Sequence, residues 1–173
     1  MDMLLEGVAR FANQVNEVAG KAAAWLTTFL VILVCYDVTI RKFFDISHPW
    51  TIELEWHLFS LIFLLGAGYA FKHNRHVRVD LFYSKFSKKD KAWTDLIGSI
   101  AFLVPWCIVI IIFSAGYAHE SFLDNEGSPN PDGLGARYLI KSAVTLGFSL
   151  LLLQGLGQIA EAILTIKNAG QEN

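Results

Sequence analysis

Charge is scarce in this sequence. Asp, Glu, Lys and Arg make up 17% of its 173 residues, against about a quarter in soluble domains, and the 14 basic and 16 acidic side chains nearly cancel, to a net −2. A chain this close to neutral carries no global field to draw nucleic acid, and no nucleic-acid partner is expected. Cysteine is almost missing too. Cys35 and Cys107 both lie inside apolar runs, where a thiol behaves as a small apolar group, which argues against a disulfide or zinc framework. The histidines do not assemble into a metal set: His73 and His76 form an HxxH without a third ligand, and His57 with His119 could offer a single haem pair near one membrane face, with a second pair missing. Cofactors, metals and catalysis are not expected.

What fills the sequence instead is apolar residues, 54% of the total. Crossing a hydrocarbon core about 30 Å thick takes roughly 20 of them in a row, and four stretches qualify, residues 22–40, 52–71, 93–117 and 138–166. The expected fold is an all-α integral membrane protein, one membrane domain over residues 1–173 with four transmembrane helices and no internal repeat. Residues 1–18 place Leu4, Leu5, Val8, Phe11, Val15 and Val18 at helical spacing, with Glu6 four before Arg10, and read as an amphipathic N-terminal interfacial helix. The first span is read as retained rather than cleaved, because Asp37, Arg41 and Lys42 follow it in place of a small-residue cleavage site.

Orientation follows from basic residues. Lys72, Arg75, Arg78, Lys85, Lys88, Lys89 and Lys91 crowd the second connection; with Arg10, Lys21 and Lys167 they put ten cations on one side, against Arg41, Lys42, Arg137 and Lys141 on the other. The positive-inside rule places both termini in the cytoplasm. The outer connection, residues 119–136, is acidic and rich in Gly and Pro, with a turn expected at Asn130-Pro131-Asp132-Gly133. Ser87-Lys-Lys-Asp90 resembles a capping box that starts the third helix near Lys88, and Pro105 is expected to bend it.

Several polar groups stand at the span ends. Asp37 is four residues before Arg41, which predicts an ion pair at the end of the first helix. Pro49-Trp50-Thr51-Ile-Glu53-Leu-Glu55 opens the second, with Thr51 a cap and both carboxylates in the first turn, either as structural capping or as an anchor for another membrane protein. Gly66-Ala67-Gly68 allows a neighbouring backbone to come close, and Gln154, Gln158 and Glu161 form a polar stripe on the fourth span that seeks protein rather than lipid. His76-Val-Arg78-Val-Asp80, extended or helical, sets polar groups beside valines that a merely solvated loop would not need.

These features together resemble the small membrane subunit (DctQ type) of tripartite ATP-independent periplasmic, or TRAP, transporters. Arg41 closing the first span, Pro49-Trp50 with Glu53 and Glu55, Gly66-Ala67-Gly68 and His76-Val-Arg78-Val-Asp80 carry the resemblance. Ser128-Pro-Asn-Pro131 with Gly133, Arg137 and Lys141 is similar to one branch of the family, departing from it at Asp132 and Gly135. The resemblance implies a multi-pass protein of the bacterial inner (cytoplasmic) membrane, a non-catalytic small permease subunit of a sodium-driven secondary importer, or symporter, of organic acids (carboxylates). It implies as partners a large membrane subunit (DctM type) that moves substrate and sodium, a periplasmic substrate-binding protein, and membrane lipids. The small subunit would scaffold the large one, with Trp50, Glu53, Glu55, His76, Arg78 and Asp80 as the interface residues. The alternatives are a self-sufficient four-helix exporter acting as a homodimer and a haem-binding membrane electron carrier.

Overall fold

The computed structural model describes residues 1–73, 83 and 86–169. Four helices long and apolar enough to cross a membrane account for most of them: α1 (Asp2–Phe44), α2 (Pro49–Lys72), α3 (Lys88–Leu123) and α4 (Tyr138–Ala169). Among the described residues there is no strand.

The first helix departs from expectation. In place of a separate interfacial helix over residues 1–18, one helix of 43 residues runs unbroken into the first span. At 1.5 Å per residue it is about 65 Å long, roughly twice the hydrocarbon thickness. It stays whole because it contains no proline, and because its N-terminal half has protein to pack against. Ala9, Ala12, Asn16, Gly20 and Ala23, at spacings of three and four, are buried along one face. The larger apolar residues that suggested an interfacial helix, Leu4, Phe11 and Val18, are exposed on other faces. The chain leaves α1 through Asp45, which sits in the left-handed region at φ 56°, and re-enters a helix at Pro49, whose missing N–H and fixed φ suit a first helical position.

One expectation for α3 matches its structure, and a second feature was not foreseen. Ser87 caps the helix, its Oγ accepting from the Asp90 amide at 3.2 Å and donating to Asp90 Oδ2 at 2.7 Å. A π-helical turn, Ser99–Leu103, lies directly before Pro105. Proline has no N–H for the carbonyl of Ala101, and the widened turn re-routes that strand of the ladder, with the Val104 amide reaching Ser99 O.

Packing centres on α4. Helices α1, α2 and α4 contact one another, while α3 makes its main contacts with α4. Glycines on α4 open a seat for each neighbour: a methyl at Gly147 would sit 2.8 Å from Leu64 Cβ of α2, one at Gly157 2.8 Å from Ala12 Cβ of α1, and one at Gly155 would collide with Leu103 of α3. Close backbone approach of this kind is how helices associate where lipid offers no hydrophobic drive. The large side chains turn outward: Trp25, Phe29 and Ile32 on α1, Phe59 and Phe63 on α2, Phe102, Trp106 and Phe113 on α3 are all exposed. So much contiguous apolar surface requires a bilayer or another membrane chain around it.

Candidate subunit interface

The C-terminal end of α1 and the N-terminal end of α2 are tied by a buried carboxylate. Asp37, 4% exposed, holds Arg41 Nη2 at 3.2 Å through Oδ2. Its Oδ1 lies 2.8 Å from Thr51 Oγ1, whose single proton is shared with the His48 carbonyl at 2.7 Å. The helix-end pair thus reaches across the turn to the next helix and clamps it to α1. Thr51 does not cap α2 as expected, because the cap position is His48, without a side-chain cap bond, and the Thr51 hydroxyl donates to oxygens instead of accepting from an amide. Arg41 keeps half its side chain in the open. Glu55 stands close enough for both charges to act on it, and its Oε1 is buried without a hydrogen-bond partner among the described residues.

Glu53 has a different task from the one its position suggested. It is 3% exposed, and its carboxylate is taken up by the chain's own connection between α3 and α4. Ser128 Oγ donates to Oε1 in a short bond, Asn130 Nδ2 donates to the same oxygen at 3.0 Å, and the Leu134 amide donates to Oε2 at 2.7 Å. With three internal donors on its carboxylate, Glu53 shapes the loop. The turn expected at residues 130–133 is there, closed by Gly133 N to Asn130 O at 3.1 Å. Gly133 is required at that point, because a methyl would collide with Ser128 and come within 3.0 Å of Glu53 Oε1.

A second carboxylate fastens the other half of the loop. Glu126 accepts from Lys141 Nζ in a short bond and from Ser121 Oγ at 2.7 Å, with Arg137 Nη1 at 3.9 Å. The bond from the Lys141 ammonium, then that from Ser121, holds its carboxyl below the usual carboxylate range. Lys141 also sits 3.8 Å over the Tyr117 ring, and Arg137 6.0 Å from the Trp56 ring. The loop is therefore a built element carrying an exposed turn at residues 129–132.

At the opposite end, polar side chains link α1 to α2 and α4. Lys72 Nζ meets Glu17 Oε2 at 2.6 Å; Asn13 donates to Glu161 Oε1 and accepts from Gln154 Nε2, both at 2.8 Å. Two of the three groups in the α4 stripe thus find partners inside the chain. Gln158 Oε1 is buried without one among the described residues. Gly68 faces Asn16 and the Leu150 carbonyl, whereas Gly66 faces open space. Asn13, Asn16 and Glu17 had no signal in the sequence beyond being polar in an amphipathic helix.

The face these clusters leave uncovered runs up α2. Ile52, Trp56, Phe59 and Phe63, at intervals of four, three and four, are all exposed, beside half-buried Trp50 and the open edge of Arg41. His76, Arg78 and Asp80 lie outside the described residues. Among the described residues no three His, Cys, Asp or Glu side chains are grouped to hold a metal ion.

No curated protein matches this chain in sequence. A family model described as the DctQ component of tripartite ATP-independent periplasmic transporters matches residues 30–165, from the middle of α1 to the last turns of α4. The match takes in most of the chain, including the Asp37–Arg41–Thr51 clamp, the Glu53 loop and the exposed face of α2, and the chain belongs to the DctQ family, the small permease component of TRAP transporters.

Proposed function

We propose that this small permease component is a non-catalytic scaffold in a sodium-driven importer of organic acids in the bacterial inner membrane, with both termini in the cytoplasm. It docks through α1, α2 and the His76–Asp80 segment on a large membrane subunit that carries substrate and sodium. One observation supports this reading most: charge is confined to the ends of the helices. Residues 22–36 of α1, 58–71 of α2, 96–118 of α3 and 142–160 of α4 contain no Asp, Glu, Lys or Arg. A carboxylate or a sodium ion crossing the membrane needs compensating charge or a polar lining near the midplane. The buried carboxylates of Asp37 and Glu53 close on donors within the chain instead.

Trp50, Glu55, Arg41 and the Ile52–Trp56–Phe59–Phe63 face supply the contact from the described residues, with His76, Arg78 and Asp80 beyond them. The unpaired Glu55 oxygen asks for a donor from the large subunit, since a buried acceptor left empty costs about 1–3 kcal/mol. The exposed turn at 129–132 meets the periplasmic binding protein.

Two measurements test this. A tagged chain purified from membranes should bring the large subunit with it, and Glu55→Lys should weaken that capture and transport together. Reconstitution of the chain alone in proteoliposomes should give no uptake of carboxylates; uptake by the single chain, or full assembly by the Glu55→Lys variant, overturns the scaffold reading.

A further inference from the structure

The first helix carries a seven-residue repeat that the described residues of its own chain do not cover. Leu4, Phe11, Val18, Trp25 and Ile32 recur at that interval, and each is between 58% and 70% exposed. Four residues after each stands a second apolar side chain, Val8, Val15, Ala22, Phe29 and Tyr36; Val15 is half-buried and the other four are exposed. Other sectors of α1 are taken by the bundle: Tyr69 of α2 lies against Gly20, and Gly157 of α4 against Ala12. The alternation of four and three thus forms one open seam from Leu4 to Tyr36.

Lipid accounts for only part of it. Residues 22–36 carry no charge and suit the hydrocarbon, but a helix of 43 residues is about 65 Å long against a core of about 30 Å. In the remaining length Glu6, Arg10, Gln14 and Lys21 take exposed positions beside the seam, while Leu4, Val8, Phe11 and Val18 keep it apolar. Two apolar positions in seven make a strip narrower than the face of an ordinary amphipathic helix, and match the a and d positions of a coiled coil. This half of α1 is also fixed to α4, through Asn13 with Gln154 and Glu161 at 2.8 Å, and continues the span without a break.

The composition of the seam selects its occupant. Copies of one chain share one orientation in the membrane, so two α1 helices meet in parallel and at equal depth, each seam residue opposite its counterpart. No seam residue is charged, and self-pairing brings no like charges together. At the flanks Gln14 would meet Ala19 of the second copy, and Lys21 would meet its Leu26, again without repulsion. Val8 and Val15, β-branched at a, with Leu4 at d are the combination that favours two parallel strands.

We propose that α1 is a homodimerisation helix, along which a second copy of this chain lies in parallel, in a left-handed pair joined from Leu4 to Tyr36. The scaffold reading draws on Arg41 and the face of α2, none of it in the seam, so the dimer goes beyond that reading and can fail without it.

Disulfide trapping in native membranes tests the proposal. In a chain with Cys35→Ala and Cys107→Ala, Val8→Cys or Phe11→Cys should give on oxidation a product of twice the chain's mass, because facing seam residues come within the roughly 4.4–6.8 Å between Cα atoms that a disulfide spans, and Arg10→Cys at least about tenfold less. In a second measurement, a tagged chain purified in mild detergent should bring untagged copies with it, whether or not a large subunit follows. Phe11→Glu/Val18→Glu in every copy should cut that recovery at least about tenfold, through like charges facing each other in the seam, with far-ultraviolet circular dichroism unchanged. No doubled product, equal trapping at Arg10 and in the seam, or undiminished recovery of untagged copies by the double-Glu variant overturns the proposal. So does a transporter that contains a single copy of this chain, in which the seam belongs to another helix.

Discussion

The seating of α1 against α2 and α4 turns on one pair of positions, Gly68 and Asn16. Asn16 is fully buried, donating from Nδ2 to Ala12 O at 3.1 Å and to Leu150 O at 3.2 Å. A methyl added at Gly68 would lie 2.9 Å from Asn16 Cγ, closer still to Oδ1, and 3.2 Å from the Leu150 carbonyl. The carbonyl belongs to a helix backbone and cannot yield, so the Asn16 side chain must. Overpacking of this kind costs about 1–3 kcal/mol, offset by up to about 1 kcal/mol for replacing glycine in a helix. Gly68→Ala should therefore destabilise the chain by about 1–2 kcal/mol. Asn16→Ala alone gives up two hydrogen bonds, each worth about 0.6 kcal/mol inside a membrane, or about 1 kcal/mol together.

The two changes should not add. With Asn16 cut back, the new methyl occupies vacated space, and the double variant should be no worse than Asn16→Ala alone, a coupling of about 1–2 kcal/mol within the range seen for touching residues. Gly66 is the control two residues away: a methyl there meets nothing within 4 Å, so Gly66→Ala should be neutral or slightly stabilising. Equilibrium unfolding in mixed detergent and sodium dodecyl sulfate, followed by far-ultraviolet circular dichroism, measures all four variants. If Gly68→Ala matches the parent, or the double variant loses the sum of the single losses, the tight seat described above is wrong.

Three further outcomes follow from the polar clusters. Glu53→Ala should free residues 128–134 while leaving the helices intact, seen as faster amide exchange at Leu134 with unchanged protection in α2 and α4; the large subunit should still co-purify while uptake falls. Because hydrogen bonding lowers the folded pKa of Glu126, its contribution to the loop is complete above the unfolded carboxylate value, from about pH 5 upward, and disappears as pH falls through the depressed folded value. Amide exchange at Arg137, whose N–H is bonded to Glu126 O at 3.0 Å, should rise in acid beyond its intrinsic rate, and Glu126→Gln should remove that dependence. Thr51→Val keeps the shape but deletes the 2.8 Å bond to Asp37. The loss should be about 1.5–3 kcal/mol, that of a hydrogen bond to a charged group, measured by the same unfolding titration.

How much of this was legible in the sequence depended on how far apart the interacting residues are. The Asp37–Arg41 pair is an i, i+4 contact and the Ser87–Asp90 cap an i, i+3 one; both could be read from spacing alone. The spans were legible because composition identifies them, and α2 and α4 run within a few residues of the stretches 52–71 and 138–166. Glu53 reads in the sequence as either structural capping or an anchor for a partner, and its role in the loop is not legible there, because its donors are 75 to 81 residues away in a loop whose path no local pattern reveals. The same limit hid which face of residues 1–18 is buried. Their apolar period was plain, but whether the small stripe Ala9–Ala12–Asn16 or the large one meets protein depends on α4, some 140 residues later.

The distribution of polar groups bears on how the partner is held. The carboxylates where α1 ends and α2 begins divide by the donors available to them: Asp37 has Arg41 and Thr51, Glu53 has three donors in the loop, and Glu55 keeps one buried oxygen empty among the described residues. Had all three been open, charge would have fixed the docking geometry, at a desolvation cost that a membrane interior magnifies. With two of them spent internally, the uncovered surface is the aromatic and aliphatic face of α2, which lipid solvates as well as protein does. Association on such a face draws on shape and on the unmet Glu55 acceptor beside it. Glu55→Gln, which keeps an acceptor, should therefore preserve capture of the large subunit, while Glu55→Leu should lose it even though the surface becomes more apolar. Equal capture by the two variants would mean that the empty oxygen plays no part in docking.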